Sequence, residues 1–79
     1  MTHGERLLTI LSDTLRLPAG AIYDDLDMAA TSTWDSLSHM QLIAGIEDEF
    51  SVELTSDDIV AMTSIGAIKR ILRERAVAV

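Results

Sequence analysis

Leu7, Leu8, Leu11 and Leu15 stand at i, i+1, i+4 and i+8, which is one apolar stripe along a helix. Thr2 and Glu5 precede the stripe at the spacing of a capping box. Pro18 and Gly20 follow it, and the residue before a proline is steered out of the helical region. The pattern predicts a first helix over residues 4–16. Residues 17–35 then show neither a helical nor a strand period. They hold Pro18, Gly20, Asp24, Asp25, Asp27 and a Thr-Ser-Thr run, with Ile22, Leu26 and Trp34 scattered among them. A connection this long inside a small chain needs anchors, and those three apolar residues predict a loop pinned to the core and ordered.

A second helix is predicted from Asp35-Ser36 to about Phe50. At 100° per residue, Leu42, Ile43, Ile46 and Phe50 share an arc of about 100° and form a core stripe. Leu37, Met40 and Ala44 lie nearly opposite, edged by Gln41 and Asp48 on one side and Glu47 on the other. The helix therefore carries two apolar faces. So short a chain has few helices to cover the second, and an exposed apolar stripe with a charged rim has the makings of a docking face. The small Ala44 is compatible with space inside the bundle, and equally with close helix approach.

Ser56-Asp57-Asp58 reads as an N-cap with acids in the first turn of a short helix through Ile59, Val60 and Met62. Thr63 or Ser64 caps a last helix that carries Ile65, Ile68, Ile71 and Leu72. Lys69, Arg70, Arg73 and Arg75 lie toward its C-terminus, where the helix dipole favours cations. Only residues 51–55 hint at a strand, and a turn explains them equally well. The expected fold class is all-α: a small four-helix bundle of three long helices and one short one, with a long ordered loop between the first two.

At 79 residues the chain has room for one domain, expected to span residues 1–79. It contains no cysteine, which excludes disulfides, thiolate zinc sites and cysteine nucleophiles together. No apolar run reaches the ~18 residues of a membrane span, and the start lacks the pattern of a secretory signal. These features lead to the expectation of a soluble, cytoplasmic monomer with no membrane partner.

The formal net charge is −7. Between Leu17 and Ile68 there are ten acids and no lysine or arginine, and all six basic residues lie nearer the two ends. A phosphate backbone needs the opposite sign, so no nucleic-acid partner is expected; basic protein surfaces are.

Several chemistries fail on the residues. A calcium loop starting at Asp25 would need glycine and glutamate where Ala30 and Ser36 stand. His3 and His39 are the only histidines, and nothing places them beside a carboxylate pair, so no metal site is expected. Ser36 and His39, at i and i+3, could suggest a nucleophile and its base, yet no orienting acid or oxyanion donor accompanies them. His39 is expected to be half-buried beside the core stripe, and the chain is not read as an enzyme. What remains is Asp35-Ser36-Leu37, a serine where an acidic loop enters a helix N-terminus. Such a terminus tolerates a phosphate through its free N–H groups and dipole. Taken alone, Ser36 reads more simply as an N-cap.

The wider setting changes that reading. Trp34-Asp35-Ser36-Leu37, then Leu42, Ile46 and Glu47-Asp48-Glu49-Phe50, then Ile59 and Met62-Thr63-Ser64-Ile65, together resemble the acyl carrier protein family from about Leu7 to Leu72. The resemblance implies that a phosphopantetheinyl transferase attaches 4′-phosphopantetheine from coenzyme A to Ser36, with Asp35 helping it recognise the site. The arm would carry acyl or aminoacyl groups as thioesters between a loading ligase and downstream transferases or synthases. Leu37, Met40, Gln41, Ala44, Glu47 and Asp48 would form the partner-docking face. Gln41 stands where many fatty-acid carriers have a glutamate, and Trp34 and His39 are more similar to carriers of polyketide, peptide or surface-glycan pathways. A second reading, a small acidic adaptor or inhibitor without a prosthetic group, accounts for the charge and the exposed stripe. It leaves Asp-Ser-Leu at the helix opening unexplained.

Overall fold

Thr2 opens the first helix, α1 (His3–Leu15), with its Oγ1 accepting the Glu5 N–H at 3.1 Å. Leu7, Leu11 and Leu15 are buried along its inner face. The helix stops one residue before the predicted end, because Arg16 turns to φ 57°, ψ 45° and closes it with a left-handed cap. The computed structural model describes residues 2–79. It adds α2 (Ser36–Phe50), α3 (Ser56–Ala61) and α4 (Ile65–Glu74), with a short 3-10 turn at Ala19–Ala21. Three helices are long and one short, and no strand forms among the described residues. None of these helices is long and apolar enough to cross a membrane.

The core is built from one face of each long helix: Leu7, Leu11 and Leu15, then Leu42, Ile43 and Ile46, then Ile65, Ile68, Ile71 and Leu72. Trp34, Leu54, Met62 and Val77 close it from the connections and the C-terminal tail. Phe50 departs from the expected stripe. It is only half-buried, at the last turn of α2, with its ring edge-on to that of His3 and the centroids 5.5 Å apart. Ala44 is exposed, so it neither opens space in the bundle nor brings helices closer.

Two caps sit one residue earlier than expected. Asp35, not Ser36, caps α2, and Thr55, not Ser56, caps α3. In each pair both residues are able to cap, and the one chosen is the one with a polar partner at N3. Asp35 finds Ser38, and Thr55 finds Asp58, so that both form reciprocal capping boxes. Ser64 caps α4 through the Ala67 N–H at 3.1 Å.

The loop from Leu17 to Asp35 is tied down along its length. Ser12 Oγ donates to Leu17 O at 2.5 Å, and Asp27 Oδ1 accepts the Ala30 N–H at 2.8 Å. Three main-chain bonds join its middle to the entry of α4: Met28 N–H to Thr63 O (2.8 Å), Ile65 N–H to Leu26 O (3.0 Å) and Gly66 N–H to Asp24 O (2.9 Å). A Cβ at residue 66 would stand 3.2 Å from Asp24 O, so glycine is what allows that approach. Charges separated along the sequence also meet in space. Lys69 pairs with Asp24 at 2.7 Å, Arg6 with Glu49 at 3.6 Å, and Arg75 with Asp58.

Candidate functional site

Two serines at the start of α2 have opposite surroundings. Ser38 is buried, at 7% exposure. Its Oγ accepts the Asp35 N–H at 2.9 Å and donates to Thr33 O at 2.8 Å, while its own N–H goes to Asp35 Oδ1 at 2.9 Å. Those bonds fix the turn from loop to helix. Ser36 stands one residue inside the helix and is exposed. Capping is done by Asp35 and Ser38, so the Ser36 hydroxyl is left to face solvent. The Ser38 N–H and hydroxyl, with help from the Leu37 N–H, hold the Asp35 carboxyl below the usual value of 3.8. The N-terminal positive end of the 15-residue helix thus carries a fixed carboxylate beside a free primary hydroxyl.

Beside this turn lies an open groove of about 270 Å³, lined from α1 by Asp13 and Thr14, by Arg16, and from the start of α2 by Asp35, Leu37, Ser38 and Gln41. Arg16 is the one cation among them. The apolar side chains on the second face of α2 are open to solvent: Leu37 is 70% exposed and Met40 53%. Gln41, Ala44 and Asp48 are exposed as well. Glu47 differs from the rim residue it was expected to be. It is half-buried, and its Oε2 accepts the Leu54 N–H at 2.9 Å, which ties the end of α2 to the approach of α3. Val60 of α3 is 76% exposed and was not singled out in the sequence, where it reads only as a helical apolar residue.

His39 is fully buried, at 7% exposure, where half-burial was expected, because it is hydrogen-bonded on both sides. Trp34 Nε1–H donates to its Nδ1 at 3.0 Å, and its Nε2 lies 2.9 Å from Ile59 O. The imidazole therefore spans the loop, α2 and α3 and does not address Ser36. Ser38 was also missed, although its place three residues after Asp35 is the capping-box spacing.

An exposed hydroxyl on the first turn of a long helix, held in place by a buried neighbour, is suited to carrying a phosphate-linked group. The helix N-terminus favours the phosphate's charge, and no side chain occupies the hydroxyl. The family model described as a phosphopantetheine attachment site matches residues 5–72, and the chain belongs to that family. No curated protein matches the chain. Members of the family attach 4′-phosphopantetheine covalently, so this is a phosphopantetheine-carrying carrier protein of a generally non-catalytic kind. Such domains interact with a phosphopantetheinyl transferase and with biosynthetic enzymes. The adaptor reading has no place for a covalent group and is set aside.

Proposed function

We propose that this protein holds acyl or aminoacyl groups on a 4′-phosphopantetheine arm attached to Ser36 and presents them to partner enzymes. The observation that carries the choice of residue is the division of labour between the two serines: Ser38 is buried and fully engaged, and Ser36 is exposed and free of the cap. In the loading reaction Ser36 Oγ attacks the pantetheine-side phosphorus of coenzyme A. Its proton passes to a base on the transferase, the new P–O bond is the phosphodiester, and adenosine 3′,5′-bisphosphate leaves with the electrons of the broken pyrophosphate bond. When bound, the arm supplies a terminal thiol that takes the cargo as a thioester.

The chain's own contribution is placement. Asp35 and Ser38 orient the first turn, and the exposed Leu37, Met40, Gln41, Ala44 and Asp48 offer an apolar centre with an acidic edge to a basic partner surface. Those partners are the transferase, a loading ligase and downstream transferases or synthases. The test is intact mass after incubation with coenzyme A, magnesium and a broad-specificity transferase. Wild type gains one phosphopantetheine, and Ser36→Ala gains none while keeping its helical circular dichroism. A gain in Ser36→Ala would move the attachment elsewhere.

A further inference from the structure

The short helix α3 has no fully buried side chain, although Ile59 packs partly against the core. Six residues cannot hold a helix by propensity, so its position depends on what pins its ends. At its start the Thr55–Asp58 box closes the first turn, and Arg75, the residue after α4, pairs with Asp58. At its end the main-chain bonding runs out in a specific place. Met62 N–H takes Asp58 O at 3.0 Å and Thr63 N–H takes Ala61 O at 2.9 Å, which leaves Ile59 O without a main-chain donor. His39, from α2, stands 2.9 Å from that carbonyl.

The indole N–H of Trp34 can only donate, so His39 Nδ1 must accept from it. The imidazole proton is then on Nε2, aimed at Ile59 O. Trp34 is 2% exposed and His39 7%, so the bond between them is closed to water, and the bond to Ile59 O is part-buried. The two bonded residues are each followed by an exposed apolar side chain: Met40 after His39, at 53%, and Val60 after Ile59, at 76%. One hydrogen bond therefore joins α2 and α3 at residues next in sequence to these two exposed side chains.

We propose that His39 is a positioning residue for loading: by capping α3 from α2, three residues after Ser36, it preforms the surface that the transferase meets. This rests on the carrier reading above and adds to it a residue outside the Asp-Ser-Leu turn. A preformed face lowers the ordering cost of docking without touching the reacting atoms. Loss of the bond should then appear in KM and leave kcat unchanged.

Two variants divide the imidazole's roles. In His39→Gln the amide reaches toward the Nε2 position and keeps a donor for Ile59 O. In His39→Asn the shorter side chain keeps an acceptor for Trp34 and loses the reach to α3. His39→Phe loses both. The first measurement is the two-bond nitrogen–proton spectrum of histidine-labelled protein near neutral pH. Neutral imidazole with its proton on Nε2 is expected at His39, and a proton on Nδ1 or on both nitrogens overturns the proposal.

The second is the steady-state loading of each variant by the transferase. KM for the carrier should rise about three- to tenfold in His39→Asn and His39→Phe, the span of one lost hydrogen bond. It should stay within about twofold of wild type in His39→Gln, with kcat unchanged throughout. Ile71→Val, which loosens α4 at a buried position away from the relay, is the control for lost stability. Wild-type KM in His39→Asn, or an equal rise in Ile71→Val, overturns the positioning role. If His39→Phe fails to fold, the Asn and Gln pair still decides. Failure of wild type itself to load would overturn the carrier reading instead, and the tautomer spectrum then decides the relay alone.

Discussion

Ser36 and Ser38 show how little residue type says without its neighbours. Each is a serine in the first turn of the same helix, and either could be taken for the functional one. Removing the Ser38 hydroxyl leaves the Asp35 N–H and Thr33 O short of a partner in a part-buried turn. Ser38→Ala is expected to cost about 1–3 kcal/mol in urea unfolding. Ser36→Ala, exposed and outside the cap, should stay within about 0.5 kcal/mol of wild type. Equal losses in the two variants would mean that the Ser36 hydroxyl is part of the cap after all. The Asp35-x-x-Ser38 spacing stands in the sequence but was passed over. What was not legible is which of Asp35 and Ser36 does the capping, because both have the chemistry and only the N3 partner decides.

Among the helices, order and extent were legible because the leucine and isoleucine spacing of α1, α2 and α4 is imposed by the core they share. Phe50 was misjudged because an angular count treats every turn of a helix as equally covered. At the last turn of α2, Phe50 packs against the edge of the core and is half-buried, while Ile46, one turn earlier, is fully enclosed. Ile46→Ala should therefore cost about 2–5 kcal/mol, the range for emptying a closed core site. Phe50→Ala should cost about 1–2 kcal/mol, in proportion to the smaller area it buries. Denaturant midpoints of the two variants check the order. A larger loss at Phe50 would restore the position to the core. The role of Glu47 in holding Leu54 N–H was beyond any periodicity, since it is a bond between a helix and the loop after it.

Over the whole molecule the separation of acids and bases along the chain does not survive folding. Lys69 and Arg75 return to Asp24 and Asp58, both in the acidic stretch. Lys69 holds the Asp24 carboxyl below its usual value, first by its hydrogen bond and then by its charge. The Asp58 carboxyl is held down mainly by the Thr55 N–H, with Arg75 adding to it. Asp35 is lowered in the same direction by Ser38. A carboxyl that binds its proton less tightly folded than unfolded stabilises the fold above the ordinary value of 3.8 and loses that contribution as pH falls through the lowered one. The contribution of these three carboxyls to the melting temperature should be level from neutral pH down to about 5 and fall below about 4. Asp24 and Asp35 are exposed, so solvent keeps their effects modest, and Asp58 is half-buried under Arg75. In the combined Asp24→Asn, Asp35→Asn and Asp58→Asn protein the midpoint should be lower at neutral pH and the acid limb shallower. A limb as steep as wild type would assign acid sensitivity to other carboxyls.

The three main-chain bonds between the loop and the entry of α4 also have a consequence in time. Met28 gives its amide proton from the loop to Thr63 O, and Ile65 and Gly66 give theirs back across the same short seam to Leu26 O and Asp24 O. No one of these protons can meet water unless the two stretches part, and the stretches are far apart in the chain. The seam should therefore open as one unit, and its amides should exchange with deuterium at a common free energy of opening. Native-state exchange followed by nuclear magnetic resonance reads this directly, with the Trp34 amide, bonded locally to Thr31 O, as the comparison inside the loop. Met28 exchanging far ahead of Ile65 and Gly66 would show a seam that frays from one end. A common rate would mean that the loop and the first turn of α4 are released together, so that the longest connection in the protein keeps the same clock as its last helix.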